Sequence, residues 1–234
     1  IELYVTEGDK TTKLVFSGDL GQPNQPIIKD PTVLHGADFL IVESTYGDRL
    51  HQLYDKETAL LEIINDTMDR GGNLIIPSFA VGRTQTLLYY FYNLWKAGRL
   101  DGDIPIILDS PLAINATRIF MKNFEDFDED TIKLFKDRGK MIEFPQVRIC
   151  ETAAESRALN SSDGSAIIIS ASGMADAGRI LHHLKHNLWR PESTILFVGY
   201  QAEGSLGRRL VEGIKRVRVL GEEVAVKAQI QMLD

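Results

Sequence analysis

Cysteine is almost missing from this sequence. One residue in 234, Cys150, excludes a disulfide framework and a cysteine-rich zinc module, and it fits a reducing cytosol. No apolar run reaches 18 residues, so no membrane span is expected. Nor does a basic-then-apolar leader open the chain, because Ile1 to Thr6 alternates like a short strand. The chain starts on Ile1 instead of Met and stops at Asp234 straight after an apolar stretch, and it reads as a piece of something longer. What is present is ordinary for a folded chain. A composition of 44% hydrophobic and 25% charged residues suits one large domain or two small ones, and it excludes collagen-like, coiled-coil and disordered classes.

A net charge of -7 argues against a surface that attracts nucleic acid everywhere. The distribution is uneven. Arg179 to Arg218 holds eight Lys/Arg against three Glu, a local +5, which leaves -12 for the rest. Glu125 to Asp130 places five carboxylates in six residues. Both runs read first as solvated helix faces.

The start reads as a hairpin, Ile1–Thr6 and Lys13–Phe16 around Glu7-Gly8-Asp9-Lys10. From Phe39 the pattern becomes strands alternating with helices. Phe39–Val42, Leu74–Ile76, Ile104–Leu108, Ala166–Ile169 and Thr194–Val198 are apolar throughout, as strands covered on both faces should be. Between them, Leu60, Ile63, Ile64 and Met68 share one helix face, and Leu87, Leu88, Phe91 and Trp95 share another. Ser110-Pro111 reads as the cap and first residue of a third helix. A fourth is expected over Gly178 to Trp189, and a late hairpin over Arg216–Leu220 and Glu223–Ile230. Such alternation predicts an α/β fold, a mostly parallel sheet with helices on both faces.

Ligands of such sheets bind beyond the strand carboxyl ends, where this sequence places Asp19, Glu43, Ser78, Asp109 and Ser170-Ala171-Ser172-Gly173. A carboxylate there serves as metal ligand, as general base, as a group that orients a neighbouring ligand, or simply as a turn cap. Ser172 to Arg179 and Gly199 to Arg209 are glycine-rich strand-to-helix turns with arginines nearby, a composition that suits phosphate. Neither matches a P-loop or a dinucleotide fingerprint. His182 and His186, four apart, read as a solvated helix face, and His51 stands close enough to the Glu43 turn to approach the same site. Cys150 reads as a buried small hydrophobe.

Ser17-Gly18-Asp19-Leu20-Gly21 and Ile41-Val42-Glu43-Ser44-Thr45-Tyr46-Gly47-Asp48-Arg49 resemble the centre of a metallo-β-lactamase-fold nuclease of the β-CASP family. Pro77 to Gln85, Ala171-Ser172-Gly173-Met174 with Gly178-Arg179, and Gly199 to Gly204 resemble that family's insert, in order, and favour its RNA-processing branch, the relatives of the cleavage and polyadenylation nuclease subunit. The resemblance implies a β-CASP domain over about residues 48–227, flanked by edge pieces of an αββα lactamase domain at 1–47 and 228–234. It implies that Asp19 bridges two zinc ions and that Glu43 orients a catalytic histidine. Arg83, Ser172, Gly173 and Arg179 would face the RNA backbone. The family's other metal ligands would lie outside this sequence, so this piece alone is expected to be inactive and to hold no zinc. RNA and the missing remainder of the lactamase domain are the implied partners, with a homodimer left open, no membrane contact, and a cytoplasmic location. Two rival readings are a catalytically inactive RNA-binding scaffold and a hydrolase of small phosphoesters.

Overall fold

The computed structural model describes residues 1–48, 50, 54–136, 144–160 and 164–233. Its centre is a six-stranded, wholly parallel sheet. The strands are β4 (Leu74–Pro77), β5 (Ile106–Leu108), β6 (Val147–Ile149), β7 (Ile167–Ser170), β8 (Thr194–Phe197) and β11 (Gln229–Met232), in spatial order β11-β8-β4-β7-β5-β6. Each inner strand sends alternate side chains into two separate cores. Leu74, Ile76, Ile106, Leu108, Ile167, Ile169 and Leu196 pack on one face, while Ile75, Ile107, Ile168, Ile195 and Phe197 pack on the other. The expected α/β architecture with helices on both faces is what the chain adopts.

The first face is covered by α1 (Lys56–Asp69), α2 (Arg83–Lys96) and α3 (Pro111–Phe120), through Leu60, Ile64, Leu88, Phe91 and Ile114. The second is covered by α6 (Ile180–Asn187), α7 (Leu206–Val211) and the hairpin of β9 (Arg216–Val219) with β10 (Glu222–Ala225), through Ile180, Leu184, Leu210 and Val217. Cys150 lies buried in this second core, and burial pushes its thiol up to about 12, so it stays protonated. Ser110 caps α3, accepting from the Ala113 amide at 3.2 Å with Pro111 behind it. Ser110→Ala should therefore lower stability by about 1 kcal/mol, read from the midpoint of a urea titration at unchanged slope.

Several elements depart from the sequence reading. The late hairpin ends at Ala225. The amides of Lys227 and Ala228 both donate to the Leu188 carbonyl, at 2.7 and 2.9 Å, and turn the chain so that β11 leaves the hairpin and pairs parallel with β8. The fourth helix starts at Ile180, not Gly178, because Gly178 has φ +87 and belongs to the preceding turn. Two further helices appear, α4 (Glu129–Lys136) and α5 (Ala153–Leu159), while α7 follows the Gly199 turn as its strand-to-helix reading expects. The acidic run forms no single helix face. Glu125 and Asp126 lie in a 3-10 turn, Asp128 accepts from the Thr131 amide at 2.7 Å, and Glu129 and Asp130 fill the first turn of α4, where the helix dipole favours negative charge. In the basic run, five of the eight cations sit in ion pairs.

The chain's first segment forms its own small sheet. β1 (Glu2–Glu7) and β2 (Lys10–Phe16) pair antiparallel around Gly8, and β3 (Phe39–Ile41) adds parallel to β2. The stretch that follows β2 returns to the larger body, where Ile27 is buried and its carbonyl accepts from the Asp128 amide at 2.9 Å. Among the described residues no helix is long and apolar enough to cross a membrane.

Candidate functional site

Helices after β4 and β5 pack on one face of the sheet, and those after β7 and β8 on the other. Because these strands interleave in the sheet, the loops at their carboxyl ends part in opposite directions and open crevices there. Two cavities occupy these crevices. One, of about 390 Å³, lies between the ends of β5 and β7 and is lined by Asp109, Ser110, Ala171, Ser172, Gly178 and Arg179, among others. The other, of about 490 Å³, joins the turns after β2, β3 and β8 and is lined by Asp19, Glu43, Tyr46, Lys56, Arg83 and Gly199, among others.

Asp109 is the most constrained group in the first crevice. It is fully buried, and its Oδ1 accepts from the Arg179 guanidinium at 2.7 Å. Its Oδ2 accepts from the Ser156 hydroxyl at 2.6 Å and meets His183 Nε2 at the same distance. Burial pushes the carboxyl up, but the bonds from His183, Ser156 and Arg179 together outweigh it and hold the group at about 2. Arg179 also donates to the carbonyls of Cys150 (3.1 Å) and Glu151 (2.9 Å). Three of its five N–H bonds are thus used inside the protein. Ser172 follows a cis peptide bond after Ala171, and its Oγ accepts weakly from the Ala177 amide at 3.4 Å. Gly173 lines neither cavity. It is buried under Phe79, and a Cβ there would come within 2.7 Å of the Phe79 ring.

Asp19, Glu43 and Arg83 come together in the second cleft, although they lie on three different turns. Glu43 accepts from the Thr45 amide at 2.9 Å and the Leu20 amide at 3.4 Å, while its own amide donates to Ser17 Oγ at 3.0 Å. It therefore ties the Asp19 turn to the end of β3. Bonding from Thr45 above all, and then Leu20, holds its carboxyl below the usual range. Asp19 is exposed, and its carboxylate has no hydrogen-bond partner among the described residues.

Arg83 is partly buried at the start of α2, and its guanidinium makes no hydrogen bond or ion pair among the described residues. Partly buried cations are usually paired, so an uncommitted one facing a cleft is a ligand-seeking group. Gly199, with φ +145, lies beneath it. A Cβ there would sit 3.5 Å from the Arg83 guanidinium.

Charge separates this cleft from the groove beside it. A larger cavity, about 770 Å³, runs from Arg83 past Tyr54, Tyr89 and Tyr90, but six carboxylates line it against Lys29, Lys56 and Arg83. The Asp19 cleft sets two carboxylates against two cations. A phosphate is repelled less there.

The other histidines divide. His182 and His186 are exposed on α6, and His51 lies outside the described residues. No group of three or more His, Cys, Asp or Glu side chains able to hold a metal exists among the described residues.

A Beta-Casp domain family model matches residues 84–210, more than half of the chain. The chain belongs to the β-CASP family. The β-CASP match runs from Thr84, the second residue of α2, to Leu210 in α7 and so includes the Ser172 and Gly199 turns. Ribonuclease TTHA0252 of Thermus thermophilus is 38% identical over 231 residues, covering 98% of this chain and 52% of that protein. An RNase J-like protein of Methanocaldococcus jannaschii is 32% identical over 226 residues, covering 95% and 51%. The transcription termination factor FttA of a Lokiarchaeum species is 31% identical over 219 residues, covering 92% and 34%. The chain spans about half the length of the first two relatives and about a third of the last.

Proposed function

We propose that this chain is the RNA-contacting β-CASP portion of a ribonuclease that hydrolyses phosphodiester bonds. One observation carries the reading. Arg83, an uncommitted guanidinium, stands in a charge-balanced cleft at the strand carboxyl ends, facing Asp19 and Glu43. Guanidinium binds phosphate through two parallel hydrogen bonds, roughly twice as strong as neutral ones. Ser172 would add a hydroxyl from the adjoining crevice. Arg179, with two N–H bonds left over, would serve chiefly to hold the Ser172 turn, and Gly173 to let Phe79 pack close. The printed names of the relatives, a ribonuclease and an RNase J-like protein, agree with this substrate class.

The described residues do not fit a zinc site by themselves. Structural and catalytic zinc takes three or four protein ligands, and here Asp19 offers one exposed carboxylate. Glu43 would act by holding the Asp19 turn in place. The small sheet β1–β3 exposes Leu3, Val5, Phe39 and Ile41 on one face, an apolar surface of the kind that proteins cover. The remainder of a protein twice this length is the proposed cover.

The test is cleavage of a short single-stranded RNA and of the matching DNA by the complete protein. Faster turnover of RNA is expected, with Ser172→Ala losing less than Arg83→Ala in kcat/KM. Equal turnover of both polymers, or Ser172→Ala the more damaging change, would count against the reading.

A further inference from the structure

We propose that Gln201 is a positioning residue that locks the Ser172–Gly173 turn to the Gly199–Tyr200 turn and so holds Arg83 at its cleft; the inference rests on the reading just given for Arg83. Gln201 is buried, at 4% exposure. Its Nε2 lies 3.1 Å from the Gly173 carbonyl and 3.2 Å from the carbonyls of both Gly199 and Tyr200. Three acceptors from two turns thus converge on a single donor group, which also fixes which end of the amide is nitrogen.

The opposite end makes the case stronger. Gln201 Oε1 is buried without a hydrogen-bond partner, and it presses on Gly207 so closely that a Cβ there would lie 1.8 Å away. A stranded amide oxygen costs stability, whereas a leucine or methionine would fill similar space with no polar atom to satisfy. Space filling alone does not account for an amide here. Its N–H groups do, because they join two turns that come from β7 and β8, strands separated in the sheet by β4. The Gly207 amide on the Met174 carbonyl (3.0 Å) and the Leu206 amide on Asp176 Oδ1 (2.8 Å) continue the same seam. Arg83 belongs to this unit because its guanidinium rests against Gly199.

A double-mutant cycle on the complete protein tests the role, using wild type, Arg83→Ala, Gln201→Leu and the double variant with a short single-stranded RNA. Gln201→Leu should raise KM about fivefold to tenfold, the equivalent of one lost neutral hydrogen bond, and change kcat less than about twofold. The double variant should be no worse than Arg83→Ala alone, since coupled residues are non-additive. A purely structural glutamine would give multiplying losses in the cycle, and that result overturns the proposal. Gln201→Met, flexible and also without donors, should repeat the KM change if the leucine variant folds poorly. An unchanged KM in the folded methionine variant overturns the proposal as well. If Arg83→Ala itself behaves as wild type, the reading of the cleft fails, and this role with it. If Arg83→Ala is impaired while both Gln201 variants match wild type, only this role fails.

Discussion

Asp109→Ala is expected to destabilise the fold by about 3–5 kcal/mol, the range for removing one partner from a buried ion pair. The deletion would leave the Arg179 guanidinium without its carboxylate, and strip His183 and Ser156 of the acceptor they share. Asp109 and His183 are fully buried and Ser156 nearly so, so solvent replaces their lost bonds poorly, while Arg179, partly exposed, keeps some access to water. Asp109→Asn should cost less, since it keeps a polar acceptor while losing the charge. The pH dependence follows from the same bonds. The folded carboxyl sits at about 2, below its unfolded value of 3.8, so ionised Asp109 stabilises the fold above about pH 4, and this contribution is lost as pH falls through about 2. The stability gap between wild type and Asp109→Asn should accordingly narrow between pH 5 and pH 2. Urea titrations across that range measure it, and a gap that does not change would contradict the ionised assignment.

Arg83→Ala carries the second large expectation, a loss in kcat/KM of about tenfold to a hundredfold, or about 1.5–3 kcal/mol, the range for hydrogen bonds to charged groups. The competing explanation is that Arg83 stabilises the fold through an ion pair, whose loss would cost about 0–1 kcal/mol. The described residues give it no such partner. Its removal should therefore leave the melting temperature nearly unchanged while RNA turnover falls. Normal turnover with lowered stability would reverse the assignment.

The sheet was legible wherever strands are buried on both faces. Leu74–Ile76 and Ile167–Ile169 show no polar interruption, since each face meets a core. Edge strands were harder to read. Gln229–Met232 alternates polar and apolar residues beside β8, and in the sequence it looks like a continuation of the preceding hairpin. Val147–Ile149, at the opposite edge, is three residues long with an arginine in the middle. A local signal did exist for α5, because Thr152 and Glu155 form a reciprocal capping box that their spacing announces.

The site was legible in its parts but not in its pairings. Asp109 could be flagged as a carboxylate at a strand end, but Arg179 and His183 lie 70 and 74 residues away in sequence, and only the packing of α6 against the sheet joins them. The i,i+4 spacing of His182 and His186 drew attention to the exposed side of α6. The buried histidine is His183, on the face that Ile180, Leu184 and Asn187 mark by helical periodicity. Gln201 stands in the Gly199–Gly204 stretch that the sequence singled out, but its own role could not be read there. Its role depends on three backbone carbonyls that a pattern of side chains does not encode.

The salt dependence of RNA binding tests the central claim most directly, because each phosphate contact releases counterions in proportion. For the complete protein and a short single-stranded RNA, affinity should fall linearly on a log–log plot as salt rises. Arg83→Ala should weaken binding and make that slope shallower by about 0.7, the share of one phosphate contact on a single strand. Equal slopes for the two proteins would show that Arg83 touches no phosphate, and would contradict the account.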